Sequence, residues 1–285
     1  MNWKGFAVRV GMVVVALPLI GVFVFLLPWR THLALNSMIV VVTVIGSIEM
    51  VGLFAARRVP VSRVLAPVLA GTLPAAAYLQ AAGLLPGIEL HLLWAVAVPG
   101  IILVRAIMFR RQASLRALLA YSGSSLLAAL YPALFLSFLP RMSGLADPAL
   151  AMAFFLCVIF GDDMLAYFVG SLWGRSTRLD LPVSPRKSVL GFAGGIAGAL
   201  IVALLFHWLA GGFPGRGLAV DLAIAAAVGA VGIVGDLVES GLKRSAGVKD
   251  SGVVIPGRGG ILDSLDSAAL AAPLFWLLMV LIPAR

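Results

Sequence analysis

The sequence predicts an all-α, polytopic integral membrane protein of about nine transmembrane helices, with its N-terminus in the cytoplasm and its C-terminus outside. Three observations predict it. The 285-residue chain is 62% hydrophobic and 12% charged, with a mean hydropathy of +1.10, a balance that suits no soluble core of this size. Apolar runs of about 20 residues, the helical length that crosses roughly 30 Å of hydrocarbon, recur along it. These runs show no alternation of polar and apolar residues, which excludes a β-barrel, the other spanning structure that satisfies its own backbone.

In order, the runs cover 6–27, 33–55, 64–85, 90–109, 114–139, 149–173, 189–211, 217–239 and 264–283. Lys4 and Arg9 precede the first run, which continues to about Trp29 without an Ala-x-Ala-like exit, so a retained span is expected rather than a cleaved signal peptide. The cations set the orientation. Seventeen of the 21 Lys and Arg residues fall on one side of this arrangement, and only Arg30, Arg141, Arg216 and Arg285 on the other. The richer side is cytoplasmic by the positive-inside rule. The net charge of +9 therefore reads as orientation plus an anionic ligand. Nucleic acid is not expected, since no basic stripe interleaved with aromatics occurs. The chain is expected to divide into N-terminal helices (1–112), a middle segment (113–146) and a C-terminal catalytic region (147–285) with cytoplasmic loops at 174–188 and 241–262.

The single cysteine, Cys157, lies in an apolar run and reads as packing. In the seventh run Gly191 and Gly195, and Gly194 and Gly198, stand four apart, and the eighth carries Gly229, Gly232 and Gly235. Both patterns read as close helix approach. No Walker-type phosphate loop is present. His32, His91 and His207 all fall on the outer side, whereas most acids fall at the inner side. Any metal held at the cytoplasmic end is thus expected to be bound by carboxylates, which favours a hard ion such as Mg²⁺.

Ionisable groups inside spans are costly and kept mainly where they face a polar cavity or a partner. Asp162 and Asp163, in "FGDDMLAYFVG", are adjacent and cannot point at one partner, so a functional role is favoured. Glu49, ahead of Arg57 and Arg58 in "IGSIEMVGLFAARR", reads as a snorkelling carboxylate paired with those arginines. The third place is "GDLVESGLKRSAGVKDSGVVIPGRGGILDSLD". Helical spacing puts Asp236, Glu239 or Ser240, and Lys243 along one face, and the stretch from about Gly241 to Leu262 is too long for an ordinary connection. Pro256, Gly257, Gly259 and Gly260 predict a tight, defined turn. Such glycines let backbone N–H groups reach an anion, with Lys243, Arg244, Lys249 and Arg258 adding positive charge. Asp236, Asp250, Asp263 and Asp266 would then hold divalent ions against a polyphosphate.

Residues 240–266 resemble the signature of the phosphatidate cytidylyltransferases, or CDP-diacylglycerol synthases: Ser-x-x-Lys-Arg, four residues, Lys-Asp, a small residue, Pro-Gly-His-Gly-Gly and Asp-Arg-x-Asp. Ser240, Lys243, Arg244, Lys249, Asp250, Gly252, Pro256, Gly257, Gly259, Gly260, Asp263 and Asp266 take the matching places. Upstream, Asp163-Met-Leu-Ala-Tyr167, Ser184-Pro-Arg-Lys187 and Gly191-Phe-Ala-Gly-Gly195 are similar to further segments of that family. Arg258 stands where the family has His and Ser264 where it has Arg; Met164, Leu165, Val189 and Leu190 also depart from it.

The resemblance implies transfer of CMP from CTP to phosphatidate, giving CDP-diacylglycerol and pyrophosphate for phospholipid biosynthesis. It implies Asp236 and Asp263 as metal ligands, with Asp250 and Asp266 as second candidates and Lys249 within the catalytic set. Ser240, Lys243, Arg244, Gly257, Arg258, Gly259 and Gly260, with Arg186 and Lys187, would bind substrate, and Asp163 would order the site or contact the nucleotide. The expected cofactor is Mg²⁺, as two divalent ions or one divalent plus a monovalent ion. Expected partners are CTP, phosphatidate and the bilayer, with a homodimer compatible with this reading. The expected place is the cell inner membrane, with the active site facing the cytoplasm. The alternatives are a diverged paralogue acting on another membrane lipid phosphate and, in a different class, a secondary transporter, against which the absence of an evident internal repeat counts.

Overall fold

In helix α3 (Leu90–Ile107) the buried side chains are Trp94, Val98, Ile102 and Ala106, four residues apart on one stripe. The remaining faces expose Leu92, Leu93, Val96, Leu103 and Val104. In water such an apolar surface would be a large liability; around a helix of this length it is the surface that lipid covers. The same reasoning holds along the chain. The computed structural model, which describes residues 18–19, 21–86, 89–108, 115–213, 215–255 and 259–282, is helical throughout apart from turns and three isolated β-bridges.

The other helices are α1 (Trp29–Ala56), α2 (Leu65–Ala81), α4 (Leu118–Leu136), the short α5 (Phe138–Met142), α6 (Pro148–Trp173), α7 (Val189–Ala210), α8 (Leu218–Ala246) and α9 (Leu262–Leu281). Among the described residues, seven helices are long and apolar enough to cross a membrane, α4 and α5 counting as one of them. The protein is a multi-pass membrane protein. The run expected at 6–27 lies largely outside the described residues. The run expected at 64–85 is a helix of only 17 residues, Leu65–Ala81, because Gly83 adopts φ +70° and ends it. The spans expected to begin at 33 and to end at 239 also differ at their edges. Arg30, Thr31 and His32 hold left-handed φ values of 47–59° at the start of α1, so the regular right-handed helix begins beyond them. α8 continues past 239 to Ala246, where Gly247, at φ +74°, closes it. Pro74, Pro99, Pro132 and Pro273 all sit inside helices, as spanning helices tolerate.

The chain forms two compact units. One comprises Met1–His32, Leu145–Gly241 and Asp266–Arg285; the other comprises Leu33–Gly144 and Leu242–Leu265. In the first, α6 and α7 run together at backbone contact. A Cβ on Gly198 would strike the carbonyl oxygen of Gly161, and one on Gly194 would stand 2.6 Å from Val169 Cβ, so the four-residue glycine spacing is a packing device. Phe154, Phe155, Phe206, Phe213 and Phe275 fill the rest of this core with ring centroids 4.8–6.0 Å apart. In the second unit, α2, α3 and α4 pack on one another. Their core is Leu73, Trp94, Val98, Ile102 and Tyr131, joined by Met50 and Leu53 of α1 and by Leu262.

Candidate active site

In the first unit the loop 174–188 is built as a folded strap. Arg178 and Ser188, and Leu181 and Ser184, form antiparallel bridges, and Ser188 caps α7 by accepting from the Gly191 N–H at 3.0 Å. This brings Lys187 to the start of α7, where its ammonium pairs with the Asp236 carboxylate of α8 and stands 5.8 Å from the Phe192 ring. Arg186, beside it, is exposed.

Acids gather around that pair. Asp162 lies within electrostatic reach of Asp163, Lys187 and Asp236, and Asp266 within reach of Asp236, Asp163 and Glu239. The Ser267 hydroxyl donates to Asp163 Oδ1 at 3.3 Å, and its N–H donates to Asp266 Oδ1 at 2.7 Å. Asp162 is 2% exposed, and its Oδ1 has no hydrogen-bond partner among the described residues. It occupies a slot that only glycines leave open: a Cβ on Gly195 would lie 2.6 Å from that oxygen and one on Gly229 3.1 Å. Five carboxylates with one lysine make a strongly electronegative cluster.

The second unit holds the other signature residues. α8 ends in a Schellman turn, with the Val248 N–H donating to the Lys243 carbonyl at 3.0 Å, so Lys243 and Arg244 sit on its last turn. Arg244 is exposed and donates to the Val248 carbonyl; Lys249 and Asp250 are exposed, and Ser240, still in the first unit, is half-buried. The chain then makes the tight turn that its glycines predict. Ile255 and Gly259 exchange two backbone hydrogen bonds of 2.7 and 3.0 Å, and Gly259 sits at φ +119°, a conformation closed to most other residues. Gly257 and Arg258 lie outside the described residues.

Beyond the hairpin, Asp263 opens α9. Its Oδ1 accepts from Lys243 Nζ at 2.5 Å, in a pair whose side chains are 11% and 5% exposed. Its Oδ2 accepts from the Ser251 N–H at 2.8 Å, the Ser251 hydroxyl at 2.9 Å and the Gly260 N–H at 2.7 Å.

Glu49 does not pair with Arg57 or Arg58. Arg57 lies eight residues along α1, about 12 Å up the helix axis, and donates instead to the Ser245 carbonyl at 2.9 Å. The Glu49 carboxylate, in a residue 6% exposed, accepts from the Ile261 N–H (2.8 Å), the Leu262 N–H (2.9 Å) and the Ser251 hydroxyl (3.1 Å). The glycine-rich turn was expected to present its N–H groups to a ligand anion. Those of Gly260, Ile261 and Leu262 are taken by the protein's own Asp263 and Glu49. The signature's glycines also make room for Glu49: a Cβ on Gly252 would stand 2.5 Å from its Oε1 and one on Gly260 2.5 Å from its Oε2.

Among the described residues no three His, Cys, Asp or Glu side chains converge as a ready-made metal cage. The available donors are carboxylate oxygens without imidazole or thiolate, the set a hard ion prefers, and Mg²⁺ bound together with substrate phosphates needs only one or two of them. The orphaned Asp162 oxygen and the excess of acids over lysine in the first unit suit such an ion.

Fold and site together define a helical, multi-pass membrane protein with a lysine–carboxylate pair in each unit and a glycine-walled hairpin in the second. The chain belongs to the cytidylyltransferase family, which it matches over residues 7–282. It is 40% identical over 160 residues to a phosphatidate cytidylyltransferase of Bacillus subtilis, a match covering 56% of this chain and 58% of that protein. It is also 42% identical over 128 residues to one of Synechocystis (45% and 42% covered) and 38% identical over 161 residues to one of Thermotoga maritima (53% and 56%). The chain thus spans about half the length of the curated relatives it matches.

Proposed function

We propose that the protein transfers CMP from CTP to phosphatidate, releasing pyrophosphate and forming CDP-diacylglycerol, at the cytoplasmic face of a cell inner membrane. The observation that carries this reading is that two signature lysines, Lys187 and Lys243, rest on the two carboxylates, Asp236 and Asp263, that the motif assigns to a divalent ion. A phosphate oxygen of the lipid attacks the α-phosphorus of CTP; the new P–O bond forms as the bond to the β-phosphate breaks and pyrophosphate leaves. In such a displacement the protein positions the groups and neutralises charge. Lys187 in the first unit and Lys243 in the second are each a cation that exchanges its carboxylate partner for a phosphate oxygen, and Arg186, Arg244 and Lys249 are further exposed cations for phosphate.

Asp236 in the first unit and Asp263 in the second are each the carboxylate that would hold Mg²⁺, with Asp266 and Asp250 as second candidates. When bound, the ion screens the triphosphate and stabilises the leaving pyrophosphate. Asp163, held by the Ser267 hydroxyl, orders the acid group. A cavity of about 240 Å³ in the second unit, lined by Met50, Leu53, Phe54, Leu127 and Leu242 with Arg57 among them, has the apolar walls and the cation that suit part of a lipid tail below a phosphate.

A second reading, a paralogue acting on another membrane lipid phosphate, is favoured by one observation. Ser264, where the family has Arg, turns its hydroxyl back onto the Gly260 carbonyl at 3.3 Å and offers no cation. The experiment is an assay of the purified protein in detergent with radiolabelled CTP and a panel of lipid phosphates. The expected result is CDP-diacylglycerol from phosphatidate, dependent on Mg²⁺ and lost on chelation. Turnover of a different lipid phosphate alone favours the paralogue, and turnover of none of them sinks both readings.

A further inference from the structure

We propose that Glu49 is a positioning residue for Asp263: its carboxylate pins the end of the signature hairpin so that Asp263 presents Oδ1 alone to its ligand. This rests on the proposed reading, in which Asp263 meets a cation or phosphates. α1 is far from the signature in sequence, yet Glu49 is placed so that its two oxygens take the Ile261 and Leu262 N–H groups. These are donors at the N-terminus of α9, which no intrahelical carbonyl can satisfy. Left open, they would compete for the nearest acid, and that acid is Asp263, one residue further on.

With Glu49 in place the division is clean. Asp263 Oδ2 is saturated by three donors from Ser251 and Gly260, and Oδ1 carries only Lys243. Ser251 joins the two acids, since its Oγ, with one proton to share, lies 3.1 Å from Glu49 Oε2 and 2.9 Å from Asp263 Oδ2. Both carboxylates thus hold the same short segment, residues 251 and 260–262, from either side. An acid used only for packing would need none of this; here every acceptor bond of Glu49 ends on the segment that orients Asp263. Partners of this outer kind change affinity or activity by 10–100-fold when removed from metal sites.

The test compares Glu49→Gln, which keeps the size but loses the charge and one acceptor oxygen, with Glu49→Asp, which keeps the charge and shortens the reach. Three readouts are taken on the full chain in detergent: kcat and KM for CTP and for phosphatidate, Mn²⁺ affinity from its paramagnetic resonance spectrum, and hydrogen exchange of the amides of residues 259–263. For Glu49→Gln the expected results are a kcat lower by about 10–100-fold with KM for phosphatidate within about 3-fold, weaker Mn²⁺ binding, and faster exchange confined to those amides. Glu49→Asp is expected to recover part of each. Unchanged kcat and Mn²⁺ affinity would overturn the proposal. So would a loss of kcat accompanied by faster exchange across all helices, because Glu49 would then only hold the fold. Should the unaltered protein show no turnover, the proposed reaction falls, while Mn²⁺ affinity and amide exchange still decide for or against Glu49.

Discussion

Replacing Asp263 by Asn lowers kcat by at least about 10²–10³-fold, the loss typical when a single pre-organised electrostatic group is removed from a reaction centre. The amide keeps the size and one acceptor oxygen but removes the negative charge. It also takes from Lys243, 11% exposed in its side chain, the carboxylate it pairs with, and breaking a buried pair from one side costs about 3–5 kcal/mol. The two losses separate in a double variant. Asp263→Asn with Lys243→Met recovers part of the thermal midpoint, because the ammonium of this pair goes with its carboxylate, yet stays inactive. Steady-state turnover with CTP and phosphatidate and thermal melts in detergent measure both. Turnover near the parent rate in Asp263→Asn would remove this residue from the chemistry.

Gly198→Val prevents α6 and α7 from packing. The added atoms meet the carbonyl oxygen of Gly161, with its carbonyl carbon at 2.9 Å and Leu165 Cβ at 3.0 Å. Backbone cannot rotate away as a side chain can, so the cost is about 3 kcal/mol or more, and size-exclusion profiles should show aggregated rather than monodisperse protein. Gly52 and Gly123 supply matched controls, being helical glycines whose added Cβ would meet nothing within 4 Å. There Ala is expected to be neutral or slightly stabilising, since helix propensity favours it over Gly by up to about 1 kcal/mol. Equal melting temperatures for Gly198→Val and Gly52→Ala would contradict the packing reading.

The helical, multi-span fold was legible because hydrophobic runs report directly on length and on the need to satisfy backbone groups in lipid. Helix ends were less so. The eighth apolar run ends at residue 239, but its helix continues to Ala246 and stops where its backbone does, at Gly247 with φ +74°. The run expected at 64–85 erred the other way, since Gly83 ends the helix while apolar residues continue to Leu85.

The spacing marks out candidate acids and lysines. It does not show their pairing: that Lys187 meets Asp236, and Lys243 meets Asp263, depends on contacts between distant helices and loops. Glu49 shows the limit most clearly. Its neighbours in sequence, Arg57 and Arg58, offered an obvious partner, whereas its real donors lie about 200 residues away. One signal was available. A pair eight positions apart on a straight helix is separated by about 12 Å along the axis, so the arginines could not reach it without bending the chain.

The hairpin and its surroundings carry a consequence for tolerance to random change. Gly252 and Gly260 leave no volume beside Glu49, and Gly259 requires its positive φ, whereas Val253, 93% exposed, and Val254, 50% exposed, point outward. A saturation library selected for complementation of a cytidylyltransferase-deficient host should therefore return empty columns at 252, 259 and 260 next to nearly full ones at 253 and 254. Within nine codons the permitted alphabet swings from one letter to almost twenty, and reversion at 260 would come most readily through shortening of its neighbours.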